Sequence, residues 1–402
     1  TDLPPTADEI CSYAASLISI GVQEEALEML KPLVKQGHPV ALLQRSFSHM
    51  QRWEYHRSFY FLKRYVRLKG LSSYQILVGK INLASCLIVL ENFVRAGVLL
   101  EQVLSELNRD QHRHILKQVF RLQAQIEIEN MNYDKARNLL LKTLTDSESE
   151  FIESSDRIVS VAELITHKWL VVIDLKINND KARALGKMRE IQAHAQQLKS
   201  WETVRDCAFH LATHLGDMTQ LLGLYRQTPY LSFRKKILKA LDAQKKVEFE
   251  LCLQNENLDL GSPYVGSRNK KWARDRSRSE RLLEFLRSDS FRPFHIGEVF
   301  SVLYPDERFD SHNSPIRVAK AIQRLNRFLQ NLGKHNLRVK SVDRQFKIIC
   351  VESDGGENSV DQKMELGLDR MGPGINTQLR IEKLRKDFKG RTFTQKKISV
   401  EL

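Results

Sequence analysis

Apolar residues recur at helical spacing through the first 246 residues, in short segments that repeat along the chain. In each of the first five segments a small residue opens an amphipathic stretch rich in leucine, and Leu221 takes this position in the sixth. The copies place at this position Ala26, Ser58, Ala96, Ala136, Ala182 and Leu221, so that the spacings are 32, 38, 40, 46 and 39 residues. Periods of this length predict helical pairs stacked into an α-solenoid. The absence of proline between residues 40 and 228 favours helices throughout this part.

These segments resemble tetratricopeptide-like repeats, whose paired helices need a small residue where they pack closely. Gly21 and Pro39 fit the family pattern in the first copy, whereas the later copies keep mainly the Ala and Leu positions. The resemblance implies an irregular solenoid over residues 1–246. The concave face of a solenoid usually holds a peptide, a protein partner or a second copy of the chain, so we expect a protein partner or self-association.

The pattern changes near residue 247. Alternating apolar and polar residues predict short strands at 247–253 and 258–260, and a basic loop follows up to Arg278. Apolar stripes then predict two short helices at 280–287 and 295–304.

A third, longer helix is predicted after Ser314, which would be its N-cap, with Pro315 in the first turn and Gly333 at its end. Two apolar segments at 337–342 and 346–351 flank a three-residue turn and predict a β-hairpin.

The third predicted helix carries a basic face. Arg317, Lys320, Arg324 and Arg327 have the spacing i, i+3, i+7 and i+10, which places four cations on one side, with Gln323 beside them. Arginine and glutamine can bind base edges in a major groove, and lysine can bind phosphate. The alternative interpretation is a solvated basic helix face.

The order of helix, helix, basic helix and hairpin resembles the winged-helix output domain of OmpR/PhoB-type regulators, especially over residues 317–329 and 346–348. The resemblance implies that the third helix enters the major groove and that the wing touches the neighbouring backbone. It assigns DNA contacts to Ser314, Arg317, Lys320, Gln323, Arg324 and Arg327 in the helix and to Lys340 and Arg344 in the wing. The wing turn lacks the glycines usual in the family, and helical repeats stand where a receiver domain would be.

The domain organisation predicted in this way has four parts. Residues 1–246 form the solenoid, 247–352 the winged helix and 353–375 a linker, and 376–402 begin a second helix-turn-helix. A basic amphipathic tail that docks on a partner is the alternative for the last segment.

Charge supports a polyanionic partner for the second region. The chain has 402 residues and a net charge of +14. Residues 264–347 hold 19 Lys and Arg against 9 Asp and Glu, whereas residues 1–246 hold 34 against 27. A dense positive patch attracts nucleic acid through counterion release. No apolar window is long enough for a membrane span and no leader is visible in the sequence, so we expect a cytoplasmic protein.

The sequence as a whole predicts a mainly α protein that regulates transcription by binding double-stranded DNA. The principal alternative is a non-enzymatic assembly scaffold of the proteasome-lid-like type, in which the winged helix packs against protein. RNA binding is less favoured because no aromatic-rich sheet motif is present. No catalytic motif is recognisable, so we expect neither an enzyme nor a cofactor. His210 and His214 have the spacing of a metal-binding helix, but Leu211 stands where a metalloprotease carries glutamate, and no metal site is expected.

Overall fold

The computed structural model describes residues 5–108, 111–144, 160–177, 180–241, 246, 249, 277–289, 291–331, 337–342 and 345–350. These residues fall into two compact units. The first unit takes its residues from Thr1–Arg45 and Tyr264–Leu402, and the second from Ser46–Pro263. The boundary at residue 45 lies within a helix.

The described residues before position 242 are mainly helical. Their helices are α1 (Ala7–Ser19), α2 (Gln23–Gln36), α3 (Pro39–Gln51), α4 (Tyr55–Tyr65), α5 (Ser73–Val89), α6 (Phe93–Glu106), α7 (Arg113–Glu129), α8 (Tyr133–Leu141), α9 (Val161–Lys176), α10 (Lys181–Gln197), α11 (Trp201–Leu215), α12 (Met218–Arg226) and α13 (Leu231–Ala240).

A recurring turn joins the two helices of each pair. The backbone takes a positive φ at Gly21, Trp53, Glu91, Met131 and Gly216. The next residue is the N-cap of the second helix, and its N–H donates to a carbonyl five residues back, as in Val22 to Leu17 and Asn132 to Glu127. This bond satisfies a carbonyl at the end of the first helix that has no partner within that helix. The sequence repeat therefore corresponds to a repeated helical hairpin.

Five residues after the positive-φ residue, in the turns at Gly21, Trp53, Glu91 and Met131, lies the small residue predicted from the sequence. Ala26, Ser58, Ala96 and Ala136 are all fully buried. The fifth copy is a correction, because Ala182 is exposed and Ala184 is buried in its place. Helix α10 begins after Asp180, which takes a left-handed conformation and caps it, so the buried position comes two residues later than the sequence phrase indicated.

The core of the second unit runs along the sequence from pair to pair. One buried cluster joins α5, α6 and the start of the next pair at Ile115 and Val119. A second joins α7 and α8 to Ile173 of α9, and a third joins α9, α10 and α11 around Met188. Each hairpin thus buries its apolar face against the next, which is the packing of a helical repeat protein.

The C-terminal part of the first unit combines three helices with a small sheet. Its elements are α14 (Arg278–Ser288), β1 (Phe294–His295), α15 (Ile296–Leu303), α16 (Asn313–Asn331), β2 (Leu337–Val342) and β3 (Gln345–Cys350). The strands are antiparallel in the order β1-β3-β2, with Phe294 opposite Phe346 and Val339 opposite Ile348. These elements lie where the sequence predicted two short helices, a long helix and a hairpin.

The N-terminal hairpin α1–α2 packs against α15 within the same unit. The Gly297 N–H donates to the Ile20 carbonyl at 2.9 Å, and the Phe309 N–H donates to Glu25 Oε2 at 3.1 Å. The sequence had grouped this hairpin with the helical repeats. The close backbone approach at Gly297 needs a residue without a side chain, and the repeat pattern carries no sign of this contact.

Four other predicted segments are described only in part or not at all. Within the predicted strand at 247–253, Phe249 is helical, and its ring lies 5.4 Å from that of Tyr225 in the second unit. The alternation of apolar and polar residues therefore predicted the wrong element at Phe249, which is helical and packs against Tyr225. The predicted strand at 258–260, the linker and the segment 376–402 lie outside the described residues.

Replacing Gly297 by alanine tests the contact between the hairpin and α15. A Cβ there would lie 2.5 Å from the Ile20 carbonyl oxygen and 2.5 Å from a Val22 methyl group. We expect Gly297→Ala to lower the free energy of unfolding by about 1–3 kcal/mol, measured by chemical denaturation. Gly186→Ala is the matched control, because nothing lies within 4 Å of its added Cβ. It should be neutral or stabilising, and equal loss in both variants would contradict the contact.

Candidate functional site

Helix α16 separates apolar and polar residues onto opposite faces. Val318, Ile322, Leu325 and Leu329 are buried, as the sequence predicted. The elements packed on this side are α14, α15 and β2. Since the apolar stripe fixes the rotation of the helix about its axis, the opposite side is turned outward.

The outward side of α16 presents Lys320, Gln323, Arg324 and Arg327, and we call these four residues the basic face. All four are exposed, and none forms an ion pair with another described residue. Three cations that lack acidic neighbours in the described part of the chain create a positive potential that an anionic ligand can neutralise. The structure therefore brings together four of the residues predicted from the sequence.

Arg317 differs from the basic face because it already has partners. Its guanidinium donates through both terminal nitrogens to the Glu307 carboxylate, with Nη2 2.8 Å from Oε1. It also lies over the Tyr304 ring, 3.8 Å from the centroid. The two hydrogen bonds to Glu307 raise the pKa of Arg317 and lower that of Glu307. Sequence spacing alone placed Arg317 with Lys320 and Arg324 and did not indicate this pairing.

Ser314 is not the N-cap of α16. The helix begins at Asn313, and the Asp310 carboxylate accepts the N–H groups of His312 and Asn313. Ser314 is buried, and its hydroxyl accepts the Asp310 N–H at 2.8 Å. The Asp310 carboxylate accepts two N–H groups at the start of the helix. Ser314 already lies inside the helix, and its side chain holds the turn before it together.

The hairpin strand β2 adds exposed cations. Lys340 is exposed as predicted, and Arg338 two residues earlier is exposed on the same face of the strand. Lys340 stands opposite Lys347 of β3, whose pKa is lowered by partial burial. Like charges in directly opposed positions destabilise a sheet, and here the Asp289 carboxylate near Lys347 partly offsets the repulsion. Arg338 was missed, although its alternation with Val339 and Lys340 was visible in the sequence. Arg344 lies outside the described residues.

Asn326 fixes α16 against the sheet. Its side-chain amide accepts the Val339 N–H at 2.8 Å and donates to the Val339 carbonyl at 3.2 Å. Strand β2 is at the edge of the sheet, so these two backbone groups point away from β3 and would otherwise need water. Asn326 therefore sets the position of the hairpin cations relative to the helix that carries Arg324 and Arg327.

The His210 and His214 pair has the surroundings of a structural cluster. His210 is buried, which lowers its pKa to about 3, and its Nε2 lies 3.7 Å from Asp206. Asp206 accepts hydrogen bonds from both Lys168 and Lys236, which hold its pKa well below the usual range although burial opposes this. Two ammonium groups on the carboxylate repel a metal cation. Within the described residues, no group of three or more His, Cys, Asp or Glu could hold a metal ion.

One further cluster contains the residue types of a nucleophilic site. Cys11 Sγ lies 3.7 Å from His38 Nδ1, and His38 Nε2 lies 3.7 Å from Asp8. Burial and the nearby Asp8 carboxylate raise the pKa of the Cys11 thiol to about 11. A buried thiol that stays protonated at neutral pH is a poor nucleophile, so the cluster is one of packing and hydrogen bonding.

Comparisons with known proteins give little beyond this geometry. No protein-family model matches the sequence, and no curated protein is similar to it. Among solved structures, the chain is similar to a signal transduction ATPase with numerous domains (STAND) that has a tetratricopeptide repeat sensor, from Pyrococcus horikoshii. Sequence identity is 15%, the TM-score is 0.35, and the similarity covers 76% of this chain and 44% of that one. The chain thus spans less than half the length of that protein, and at this TM-score the similarity adds nothing to the fold described above. None of the described helices is long and apolar enough to span a membrane.

Replacing Asn326 by alanine tests how the hairpin is held. The variant loses both hydrogen bonds to Val339, and we expect the free energy of unfolding to fall by about 1–2 kcal/mol in urea titrations. Gln323→Ala, on the exposed side of the same helix, is the control and should change stability by less than about 0.5 kcal/mol. Equal stability of the two variants would show that Asn326 does not hold β2.

Proposed function

We propose that residues 278–350 form a winged helix that binds double-stranded DNA and that the chain acts as a transcriptional regulator. The order of elements, helix, strand, helix, helix and two-stranded hairpin, supports this interpretation, as does the sheet order β1-β3-β2. In such a domain α16 is the recognition helix and the hairpin β2–β3 is the wing.

The observation that carries the proposal is the basic face of α16. Lys320, Arg324 and Arg327 are exposed and no described acidic residue contacts them, so a phosphate bound here would meet no competing carboxylate among the described residues. Arg324 and Gln323 are able to bind guanine and adenine edges, respectively. Lys320, Arg327 and the strand cations Arg338 and Lys340 are suited to phosphate, which positions the protein without reading sequence.

The helical hairpins have a separate role in this proposal. Stacked helical pairs leave an extended surface, and proteins of this architecture use it to bind other proteins or further copies of themselves. We propose that the hairpins of the second unit bind a protein partner and so connect DNA binding to a signal. This part of the proposal rests on the architecture of the helical pairs.

An assembly scaffold is the second candidate, and exposed apolar residues favour it. Val94, Val98 and Met131 are exposed on the second unit. On α16, Ile316 is 39% exposed beside the basic face. In a scaffold, α16 would pack against another protein and apolar residues would cover its outward side. The described outward side is instead formed mainly by the cations of the basic face, which favours DNA.

A salt-dependent DNA titration distinguishes the two functions. The triple variant Lys320→Ala/Arg324→Ala/Arg327→Ala removes the cations of the basic face. If each cation neutralises a phosphate, the slope of log K against log salt should become shallower by about 2–3, because each such contact contributes about 0.9. Fluorescence anisotropy of a labelled duplex in the full-length protein measures both affinity and slope.

The matched control removes the same charge from another helix. Lys181, Lys187 and Arg189 are exposed on α10 of the second unit, and their triple replacement by alanine changes the net charge equally. This control should leave the slope within about 0.5 of the parent value. Identical titrations for both triple variants would refute the assignment of α16, and no salt-sensitive binding to any duplex would favour the scaffold.

A further inference from the structure

The guanidinium groups of two arginines from different helices both lie near the ring of Tyr304, beside the basic face. Arg317, in the second turn of α16, has its guanidinium carbon 3.8 Å from the centroid of the Tyr304 ring. Arg278, the first residue of α14, has its guanidinium carbon 5.2 Å from the same centroid. The electron-rich face of an aromatic ring attracts cations and holds them in a fixed place. The fold thus brings two positive charges together that are 39 positions apart in the sequence.

The carboxylate of Glu307 lies near both of these cations. Glu307 accepts two hydrogen bonds from Arg317, and the charges of Arg317 and Arg278 both lower its pKa. The planar fork of an arginine matches two oxygens of a carboxylate or of a phosphate equally well. Glu307 therefore fills a position in which a phosphate group would make the same two bonds.

The loop between α15 and α16 holds Glu307 in this position. The Glu307 N–H donates to the Tyr304 carbonyl at 3.1 Å, and this hydrogen bond closes a tight turn directly after Tyr304. Two residues later the Phe309 N–H is held by Glu25, and Asp310 caps α16. Hydrogen bonds thus hold the backbone on both sides of Glu307, and the loop places the Glu307 carboxylate next to Arg317.

The ion pair remains open to exchange. The side chains of Arg317 and Glu307 are 37% and 49% exposed. Exposed pairs of this kind are held weakly, because water and salt screen them. A ligand that brings its own anion can displace Glu307 without unfolding the loop.

We propose that Arg278 and Arg317 form a phosphate-binding pair on Tyr304 and that Glu307 is an internal competitor for that phosphate. The proposal rests on the function proposed above and deepens it, since the phosphate is that of a duplex backbone bound along α16. Glu307 weakens binding to any polyanion, and only a duplex that also engages the basic face displaces it. Arg317 then contacts phosphate only after Glu307 has been displaced, and it does not contact bases.

The test is Glu307→Gln in the full-length protein, with Asp306→Asn as the matched control. Asp306 is exposed and adjacent, and it carries the same charge without a partner among the described residues. Glutamine cannot neutralise the two arginines, so we expect Glu307→Gln to bind a labelled duplex about tenfold more tightly at low salt, with a salt slope steeper by about 1. Asp306→Asn should change affinity no more than about twofold. Adding Arg317→Ala to Glu307→Gln should abolish the gain.

A second measurement uses inorganic phosphate and does not depend on duplex binding. At fixed ionic strength, replacing chloride by phosphate should raise the Tm of Glu307→Gln by more than it raises the Tm of Asp306→Asn, because the general stabilising effect of phosphate is common to both variants. If the duplex binds but Glu307→Gln and Asp306→Asn behave alike with both ligands, the inference fails and the proposed function stands. If no variant binds duplex while phosphate still distinguishes them, the phosphate site stands with a small phosphate as its source, and the proposed DNA function fails. If no variant binds duplex and phosphate does not distinguish the variants, both the inference and the proposed function are wrong.

Discussion

The buried apolar stripe of α16 is the constraint on which the proposed site depends. Val318, Ile322, Leu325 and Leu329 fix the rotation of this helix, because turning it would expose these side chains to water and bury lysine and arginine. The positions of the outward residues follow from this requirement. The basic face is therefore positioned by hydrophobic packing on the opposite side of the helix, and the cost of burying its cations opposes any rotation.

Polar contacts then add the precision that apolar packing lacks. Asn326 satisfies the outward backbone groups of Val339 and thereby holds the hairpin to the helix. The bidentate pairing of Arg292 with Glu298 plays a similar part within α15 and the segment before β1. Burial alone would raise the pKa of Glu298, but Arg292 keeps it lowered. These bonds are directional, so they define how the helices and the sheet fit together and not merely that they associate.

The N-terminal hairpin α1–α2 is built like the helical hairpins of the second unit, but it belongs to the first unit. Its turn has the same backbone form as those at Trp53, Glu91 and Met131, with Gly21 at the position of positive φ. Its second helix also has the small buried residue, Ala26. Yet it contacts α15 through Gly297 and the loop before α16 through Glu25. The loop that carries Glu307 is thus held by a hydrogen bond to a residue 284 positions away in the sequence.

The sequence by itself determined the local elements, because helix and hairpin formation follow from apolar periodicity, caps and turns that lie close together in the chain. The small residues at 26, 58, 96 and 136, the stripe of α16 and the exposure of Lys320, Arg324 and Arg327 were all predictable in this way. Tertiary structure decided what depends on distant partners: the pairing of Arg317 with Glu307, the convergence of Arg278 on Tyr304, the role of Asn326 and the association of α1–α2 with α15. None of these contacts has a periodic signature, since each depends on a geometry that exists only after the elements have packed.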